Sequence, residues 1–260
     1  MKEHVMLIDV SKCTGCRSCQ IACKQWNELP AASTTNTGTY QNPPDLGANT
    51  WTLVRFREVA EKDGGVQWLF WKDGCMHCSD ATCMKVCPVS AISRSDSGAI
   101  VTDYQKCVGC QSCVEACPFG KPRYSENTNK SYKCNLCADR VENGLLPACV
   151  KACPTGALTF GDKEEMLANA YKRVKELGGN ASVYGDKFFG GTHVMYVLDK
   201  KVGYYNTLPA NPKVASSVIF WKNLLKPMWA WETATGMASL ASGYYRKRFG
   251  KRENRTNIRI

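Results

Sequence analysis

The sequence predicts an α+β protein whose short helices and hairpins are arranged around cysteine ligands. Three observations predict this class: sixteen of the 260 residues are cysteines in four tight groups, alternating apolar and polar segments typical of short strands lie between the groups, and one longer helical pattern follows them. Hydrophobic residues at 44% and charged residues at 22% are ordinary for a soluble globular chain, which excludes intrinsic disorder.

The cysteines repeat one ligand spacing. Groups one and three have the form C-x2-C-x2-C-x3-C, whereas groups two and four carry an insertion between their second and third cysteines. Group one is Cys13, Cys16, Cys19 and Cys23; group two is Cys75, Cys78, Cys83 and Cys87; group three is Cys107, Cys110, Cys113 and Cys117; group four is Cys134, Cys137, Cys149 and Cys153. The tight form is the bacterial ferredoxin run, in which three cysteines bind one [4Fe-4S] cubane and the fourth reaches another.

Disulfides and zinc are the alternative uses of so many cysteines. A disulfide framework does not explain four repeats of one ligand spacing. Zinc sites use paired C-x2-C units, but the evenly spaced third cysteine and the Cys-Pro endings of groups two, three and four are typical of cubane ligands. The sequence therefore predicts four [4Fe-4S] clusters.

An internal repeat predicts which groups share clusters. Residues 7–19 align with residues 101–113, and the endings of groups two and four align with each other. Groups two and three are close enough in sequence to form one two-cluster unit, so groups one and four must pair across it, and each pair exchanges its fourth cysteines. The predicted ligand sets are Cys13, Cys16, Cys19 and Cys153 for cluster 1; Cys134, Cys137, Cys149 and Cys23 for cluster 2; Cys75, Cys78, Cys83 and Cys117 for cluster 3; and Cys107, Cys110, Cys113 and Cys87 for cluster 4.

This pairing predicts two nested domains of the bacterial ferredoxin type, each with two clusters, and a C-terminal helical tail. The outer domain comprises residues 1–69 and 124–200, the inner domain residues 70–123, and the C-terminal extension residues 201–260.

Local patterns predict the elements that connect the groups. We expect hairpins over residues 51–71 and 91–102, a helix from Asp162 to Leu177, a strand from His193 to Leu198, and a surface loop over residues 24–50.

No catalytic site of the chain's own is visible. The three histidines form no pattern with a carboxylate or a cysteine, and neither G-x-G-x-x-G nor G-x4-G-K-[ST] occurs. His77 lies inside the loop of group two, where we take it as a plain loop residue, with a hydrogen bond to a cluster sulfur as the alternative. The chain is predicted to carry electrons without performing catalysis.

The net charge of +11 does not predict nucleic-acid binding. Four oxidised clusters with their thiolates, at roughly −2 each, would lower it to about +3. The remaining positive charge is concentrated in residues 246–260, which contain seven basic residues and one acidic residue, Glu253. Residues 227–245 contain one charged residue, Glu232, and predict an amphipathic or weakly transmembrane helix beside a membrane surface or a partner subunit.

With its four groups in this order, the chain resembles the iron–sulfur subunits of molybdopterin oxidoreductases. More closely, it looks like the beta subunit of membrane-associated formate dehydrogenase of the nitrate-inducible type. The resemblance runs from about Leu7 to Lys226, and the intervening stretches favour the formate enzymes. They include residues 72–78, 147–151 and 190–198, and Trp221-Lys222 before Lys226-Pro227.

The resemblance implies the partners. A catalytic subunit with a molybdenum or tungsten pterin site would oxidise formate, and electrons would pass through the four clusters to a membrane cytochrome b subunit and quinone, or to another acceptor. The family pairs group one with group four and group two with group three. The alternatives are the equivalent subunit of another molybdopterin oxidoreductase and a free-standing polyferredoxin.

The resemblance also implies a location. Residues 1–8 are too short for a secretory signal, whereas relatives of this kind cross the membrane folded, with the catalytic subunit. We therefore expect the chain on the periplasmic face of the inner membrane, with the cytoplasm as the alternative.

Overall fold

The structure is a computed structural model that describes residues 3–61 and 64–214. Its elements are short, as the cysteine-rich sequence predicts. The strands of the described residues are β1 (His4–Asp9), β2 (Thr52–Ala60), β3 (Val66–Gly74), β4 (Ile92–Arg94), β5 (Ile100–Thr102), β6 (Arg123–Ser125), β7 (Lys130–Tyr132), β8 (Leu158–Asp162), β9 (Ser182–Tyr184) and β10 (Val194–Leu198). The α-helices in the same part of the chain are α1 (Ser18–Trp26), α2 (Thr82–Lys85), α3 (Ser112–Glu115), α4 (Ala138–Glu142), α5 (Ala148–Lys151) and α6 (Lys163–Leu177).

A mixed four-stranded sheet joins the beginning of the chain to its later part. The strand order is β8, β1, β10, β9, with β1 parallel to β10 and antiparallel to β8. Successive side chains of β1 point to opposite faces: Val5 and Leu7 pack beneath α6, while Met6 and Ile8 belong to the core that contains cysteines. Because both faces are covered, β1 is almost entirely apolar.

The predicted helix and hairpins are confirmed. Asp162 caps α6 by accepting a hydrogen bond from the Glu164 amide at 3.1 Å, and Gly178 ends it with a positive φ of 62°, which glycine adopts readily. The hairpin of β2 and β3 and the hairpin of β4 and β5 are both antiparallel. The predicted strand near residue 195 is β10.

The internal repeat appears as two equivalent strand pairings. Ile8 of β1 pairs with Leu158 of β8, and the aligned residues Thr102 and Ile92 pair in the hairpin of β4 and β5. One backbone hydrogen bond recurs beside each pairing. The Asp9 amide donates to the Ala157 carbonyl at 2.8 Å, and the Asp103 amide donates to the Ala91 carbonyl at 2.7 Å. The chain thus joins group one to group four in the same way that it joins group three to group two.

The first residues of the predicted C-terminal extension return to the core. Tyr205 and Leu208 are buried, and the Trp71 indole donates to the Thr207 hydroxyl at 2.9 Å. The predicted helix over residues 227–245 and the basic tail over 246–260 lie outside the described residues. Among those that are described, no helix combines the length and the apolar character needed to cross a membrane.

Candidate metal centres

The fold gathers the cysteines of groups one and four into two neighbouring sets. In the first set, burial raises the pKa of the Cys13 thiol, and the nearby Cys153 and Cys16 thiols raise it further. In the second set, burial raises the pKa of Cys137 above its ordinary value, with added contributions from Cys134, Cys149 and Cys23. Thiols interact in this way only when they lie close together. Each of these sets therefore combines cysteines from both groups.

The cysteines of groups two and three form two further sets. Burial and then the neighbouring Cys75, Cys117 and Cys83 thiols raise the pKa of Cys78. Burial also raises the pKa of Cys113, and Cys107, Cys110 and Cys87 add to that effect. One cysteine from the other group again completes each set.

These last two sets surround separate cavities of similar size. Cys75, Cys78, Cys83 and Cys117 line one of them. Cys87, Cys107, Cys110 and Cys113 line the other. No three Cys, His, Asp or Glu side chains of residues 3–61 and 64–214 lie close enough together to hold a single metal ion. Four thiols around one space are the ligands that a cubane takes, so the donor sets fit the predicted cofactor.

Left-handed backbone positions shape the ligand loops of groups one and three. Gly15 and Gly109 have φ of 69° and 70°, and Arg17 and Gln111, two residues later, have φ of 63° and 60°. A side chain at Gly109 is excluded sterically, because its Cβ would lie 2.3 Å from the Asn129 carbonyl oxygen. The two loops therefore have the same conformation at aligned positions.

Backbone amides point at several of the ligand sulfurs. The Ala91 amide lies 3.2 Å from the Cys87 sulfur, and the Lys121 amide lies 3.4 Å from the Cys117 sulfur, in each case four residues after the cysteine. Such hydrogen bonds stabilise thiolates and bear on the reduction potential of a bound cluster.

Buried lysines are the functional residues that the sequence analysis missed. Lys72, Lys121 and Lys133 are each 5% exposed or less. Burial lowers the pKa of the Lys72 ammonium, but the adjacent Cys149 and Cys134 thiols outweigh that effect and hold the pKa above its ordinary value. All three lysines stand within four residues of a cysteine in the sequence, which is the signal that could have revealed them.

The four sets form a row in the sense that each set has a thiol close to one of the next set. Cys19 of the first set is electrostatically coupled to Cys149 of the second, Cys134 of the second to Cys75 of the third, and Cys83 of the third to Cys113 of the fourth. Cys16 and Cys110 are exposed, whereas the other fourteen cysteines are buried or half-buried. The exposed cysteines belong to the first and the fourth set, so the row reaches the surface at both ends.

Comparison with known proteins gives two kinds of similarity. Sequence families described as 4Fe-4S dicluster domains match residues 12–91 and 66–163, in overlapping segments that do not follow the nested division. The formate dehydrogenase-O iron–sulfur subunit of Escherichia coli K12 is 47% identical over 87% of this chain and 78% of its own length. The formate dehydrogenase iron–sulfur subunit of Haemophilus influenzae is 46% identical over 92% and 78%. The formate dehydrogenase 2 subunit beta (cytochrome c-553) of Nitratidesulfovibrio vulgaris is 42% identical over 65% and 81%.

Sixteen cysteines and two dicluster matches define an electron-transfer protein with four [4Fe-4S] clusters. Because the similarity to the Escherichia coli subunit is high over most of both sequences, the chain belongs to the family of formate dehydrogenase iron–sulfur subunits. It is a non-catalytic subunit of an oxidoreductase complex and works with a catalytic subunit.

Proposed function

We propose that this chain carries electrons from a formate-oxidising catalytic subunit with a molybdenum or tungsten pterin site to a membrane cytochrome b subunit and quinone, or to another acceptor. The observation that carries the proposal is the row of four cysteine sets between exposed Cys16 and exposed Cys110. When bound, each [4Fe-4S] cluster takes up and releases one electron at a time. A row with two surface ends suits a subunit that receives electrons from one partner and delivers them to another.

The proposal includes the ligands of each cluster. It assigns cluster 1 to Cys13, Cys16, Cys19 and Cys153; cluster 2 to Cys134, Cys137, Cys149 and Cys23; cluster 3 to Cys75, Cys78, Cys83 and Cys117; and cluster 4 to Cys107, Cys110, Cys113 and Cys87. The coupling between thiols supports the crossed sets, and so do the two cavities. The equivalent pairings of β1 with β8 and of β4 with β5 support two nested domains, with residues 70–123 as the inner one.

The protein's own residues insulate the second set from water, and all four of its cysteines are buried. Leu136 and Cys149 belong to the main core, and Trp51 packs with Cys23 and Cys134 in a separate apolar cluster. Burial raises the pKa of Cys149 to about 11 even beside Lys72, so the thiol ionises as iron binds rather than beforehand. A dry, closed surrounding also disfavours hydrolysis of a bound cluster.

Purification of the complex from its native source tests the proposed function. Formate should reduce all four clusters of this subunit within the complex, and metal analysis should give molybdenum or tungsten together with about sixteen iron atoms per chain. Free chains without a pterin-containing partner, or clusters that another substrate reduces while formate does not, would contradict it.

We further propose attachment to the periplasmic face of the inner membrane. The basic residues 246–260 are expected to contribute on the order of 1 kcal/mol each near anionic headgroups. Truncation after Lys226 should release the complex from membranes without changing formate oxidation by an artificial dye. Release of the full-length complex by a high-salt or carbonate wash would indicate surface attachment, and release only by detergent would indicate a spanning helix. A full-length complex that never sediments with membranes would refute the attachment.

A further inference from the structure

His77 is fully buried, which corrects its interpretation as a plain loop residue. It stands between Cys75 and Cys78 in the loop of group two, with none of its surface exposed. Its carbonyl accepts from the His193 amide at 3.0 Å and lies 2.8 Å from His193 Nδ1. The adjacent Met76 carbonyl accepts from the Val194 amide at 3.1 Å. These bonds attach the loop to the start of β10 and fix the position of the imidazole.

One ring nitrogen of His77 is occupied by the backbone. The Ile100 amide donates a hydrogen bond to His77 Nδ1 at 2.9 Å. A nitrogen that accepts cannot carry a proton, so the ring proton of neutral His77 resides on Nε2. Because Nδ1 accepts this bond, the imidazole is neutral, with Nε2 as its donor.

That donor has no acceptor within the described protein. His77 Nε2 is buried and forms no hydrogen bond among residues 3–61 and 64–214. A buried donor left unsatisfied destabilises the folded protein. His77 is also part of the wall of the cavity that Cys75, Cys78 and Cys83 line. The residue with the unsatisfied donor thus lines the space assigned to the proposed cluster 3.

We propose that Nε2–H of His77 donates a hydrogen bond to a sulfur of cluster 3 and thereby raises the reduction potential of that cluster above that of the same cluster without the bond. The inference rests on the proposed ligands of cluster 3. Reduction adds negative charge to the cluster, and a donor to sulfur stabilises the more negative state. His77 would accordingly adjust the reduction potential of cluster 3 without being one of its ligands.

His193 provides a matched control because it is the other fully buried histidine. Its Nδ1 faces the His77 carbonyl, which can only accept, so the proton of His193 lies on Nδ1. Its Nε2 lies 3.7 Å from Oε2 of Glu3 and beside Gly98, whose added Cβ would be 2.4 Å from it. His193 therefore supports the loop, but it does not line the cavity of the proposed cluster 3.

Two amide substitutions test the hydrogen bonds of the two ring nitrogens of His77 separately. The side-chain oxygen of Asn in His77→Asn occupies the place of Nδ1 and can still accept from Ile100, but leaves no donor at Nε2. The amide of Gln in His77→Gln reaches the place of Nε2 and can donate there, but gives up the acceptor for Ile100. His193→Asn retains a donor to the His77 carbonyl.

The test is a redox titration of the full chain with all four clusters, followed by electron paramagnetic resonance. His77→Asn should lower the reduction equilibrium constant of one cluster about tenfold, which is about 59 mV for one electron. His77→Gln should restore most of that loss, and His193→Asn should leave all four potentials unchanged. Wild-type chain labelled with 15N-histidine should show nitrogen coupling to one reduced cluster.

Other outcomes would overturn the inference. If His77→Asn leaves every potential unchanged, Nε2–H of His77 does not act on a cluster. If only His77→Gln alters a potential, His77 acts through its hydrogen bond with Ile100 alone. Where a variant loses a cluster, the labelled wild-type chain decides, and the absence of histidine coupling rejects the bond. The iron content and the number of clusters are measured in the same samples. A wild-type chain with fewer than four clusters would count against the proposed ligand sets rather than against His77.

Discussion

The Nζ ammonium of Lys121 lies 2.5 Å from Oδ1 of Asp73, and both side chains are almost completely buried. Asp73 precedes the cysteines of group two at the end of β3, whereas Lys121 follows those of group three. The other oxygen of Asp73 accepts from Arg55 Nε at 2.9 Å, and the Lys121 amide donates to the Cys117 sulfur at 3.4 Å. This ion pair therefore connects the two chain segments that form the third cysteine set.

Removal of the Asp73 charge should destabilise the protein. Asp73→Asn leaves the buried Lys121 ammonium without a counter-charge, and breaking a buried pair from one side costs about 3–5 kcal/mol. We expect the midpoint of urea-induced loss of visible cluster absorbance to fall markedly, with the cluster of the third set lost first. The measurement is a urea titration under anaerobic conditions, with iron analysis at each step.

Asp45→Asn is the matched control, because Asp45 also pairs with Arg55 but its side chain is 53% exposed. An exposed pair contributes about 0–1 kcal/mol, so this variant should remain close to the wild type. Equal effects of the two substitutions would mean that the buried position of Asp73 contributes nothing.

Much of the fold follows from local sequence patterns. The alternating residues of β2 and β3 predict their hairpin, and the apolar spacing of α6 with its Asp162 cap and Gly178 end predicts that helix. The central sheet was not predictable, because β1 pairs with β8 and β10 across more than a hundred residues. Pairing over such distances depends on packing of the whole chain rather than on local preference.

The candidate site, like the fold, could be predicted from the sequence only in part. Cysteine spacing predicts four [4Fe-4S] clusters, because short loops with regularly spaced cysteines have the geometry of cubane ligands, whereas the crossed ligand sets stay a prediction. The buried environment of Lys72 and His77 was missed, because charged or polar residues in a loop are usually exposed and only the packed structure places these in the interior.

The crossed ligand sets predict that a substitution in group four removes a cluster held mainly by group one. Cys153→Ala should abolish cluster 1 and reduce iron from about sixteen to about twelve atoms per chain, because one of four thiolates is lost. The electron paramagnetic resonance spectrum should match that of Cys16→Ala rather than that of Cys137→Ala.

Thr155→Ala controls for the change of local structure, since the Thr155 hydroxyl lies 3.7 Å from the Cys153 sulfur without being a predicted ligand. It should retain all four clusters. A Cys153→Ala spectrum that matches Cys137→Ala would assign Cys153 to cluster 2 and refute the crossed sets.

The loop of group three should not tolerate a side chain at Gly109. A Cβ there would lie 2.3 Å from a backbone oxygen of Asn129, and φ is 70°. Gly109→Ala should therefore distort the loop and reduce occupancy of cluster 4, as measured by iron content and spectroscopy.

Gly120→Ala separates steric overlap from backbone strain. Gly120 also has a positive φ, of 57°, but no heavy atom within 4 Å of an added Cβ. In Gly120→Ala the only penalty is the free-energy cost of placing a residue with a Cβ in the left-handed backbone region, about 1–2 kcal/mol. This variant should therefore retain cluster 4. Full occupancy of cluster 4 in Gly109→Ala would show that the Asn129 carbonyl can move aside.

The buried charge of Lys72 should raise the potentials of two clusters at once. The Lys72 ammonium is coupled to Cys149 and Cys134 of the second set and to Cys19 of the first, and a positive charge stabilises the added electron in a poorly screened interior. Lys72→Met should lower the reduction equilibrium constants of clusters 1 and 2 by about tenfold each, or about 59 mV. Potentiometric titration of the full chain measures both shifts.

Lys12→Met is the control. It removes a charge next to Cys13 in the sequence, but the Lys12 side chain is 48% exposed, so water and salt should screen that charge, and the potentials should stay nearly unchanged. Shifts confined to cluster 3 or 4, or equal shifts in the two variants, would show that Lys72 does not act from between the first two sets.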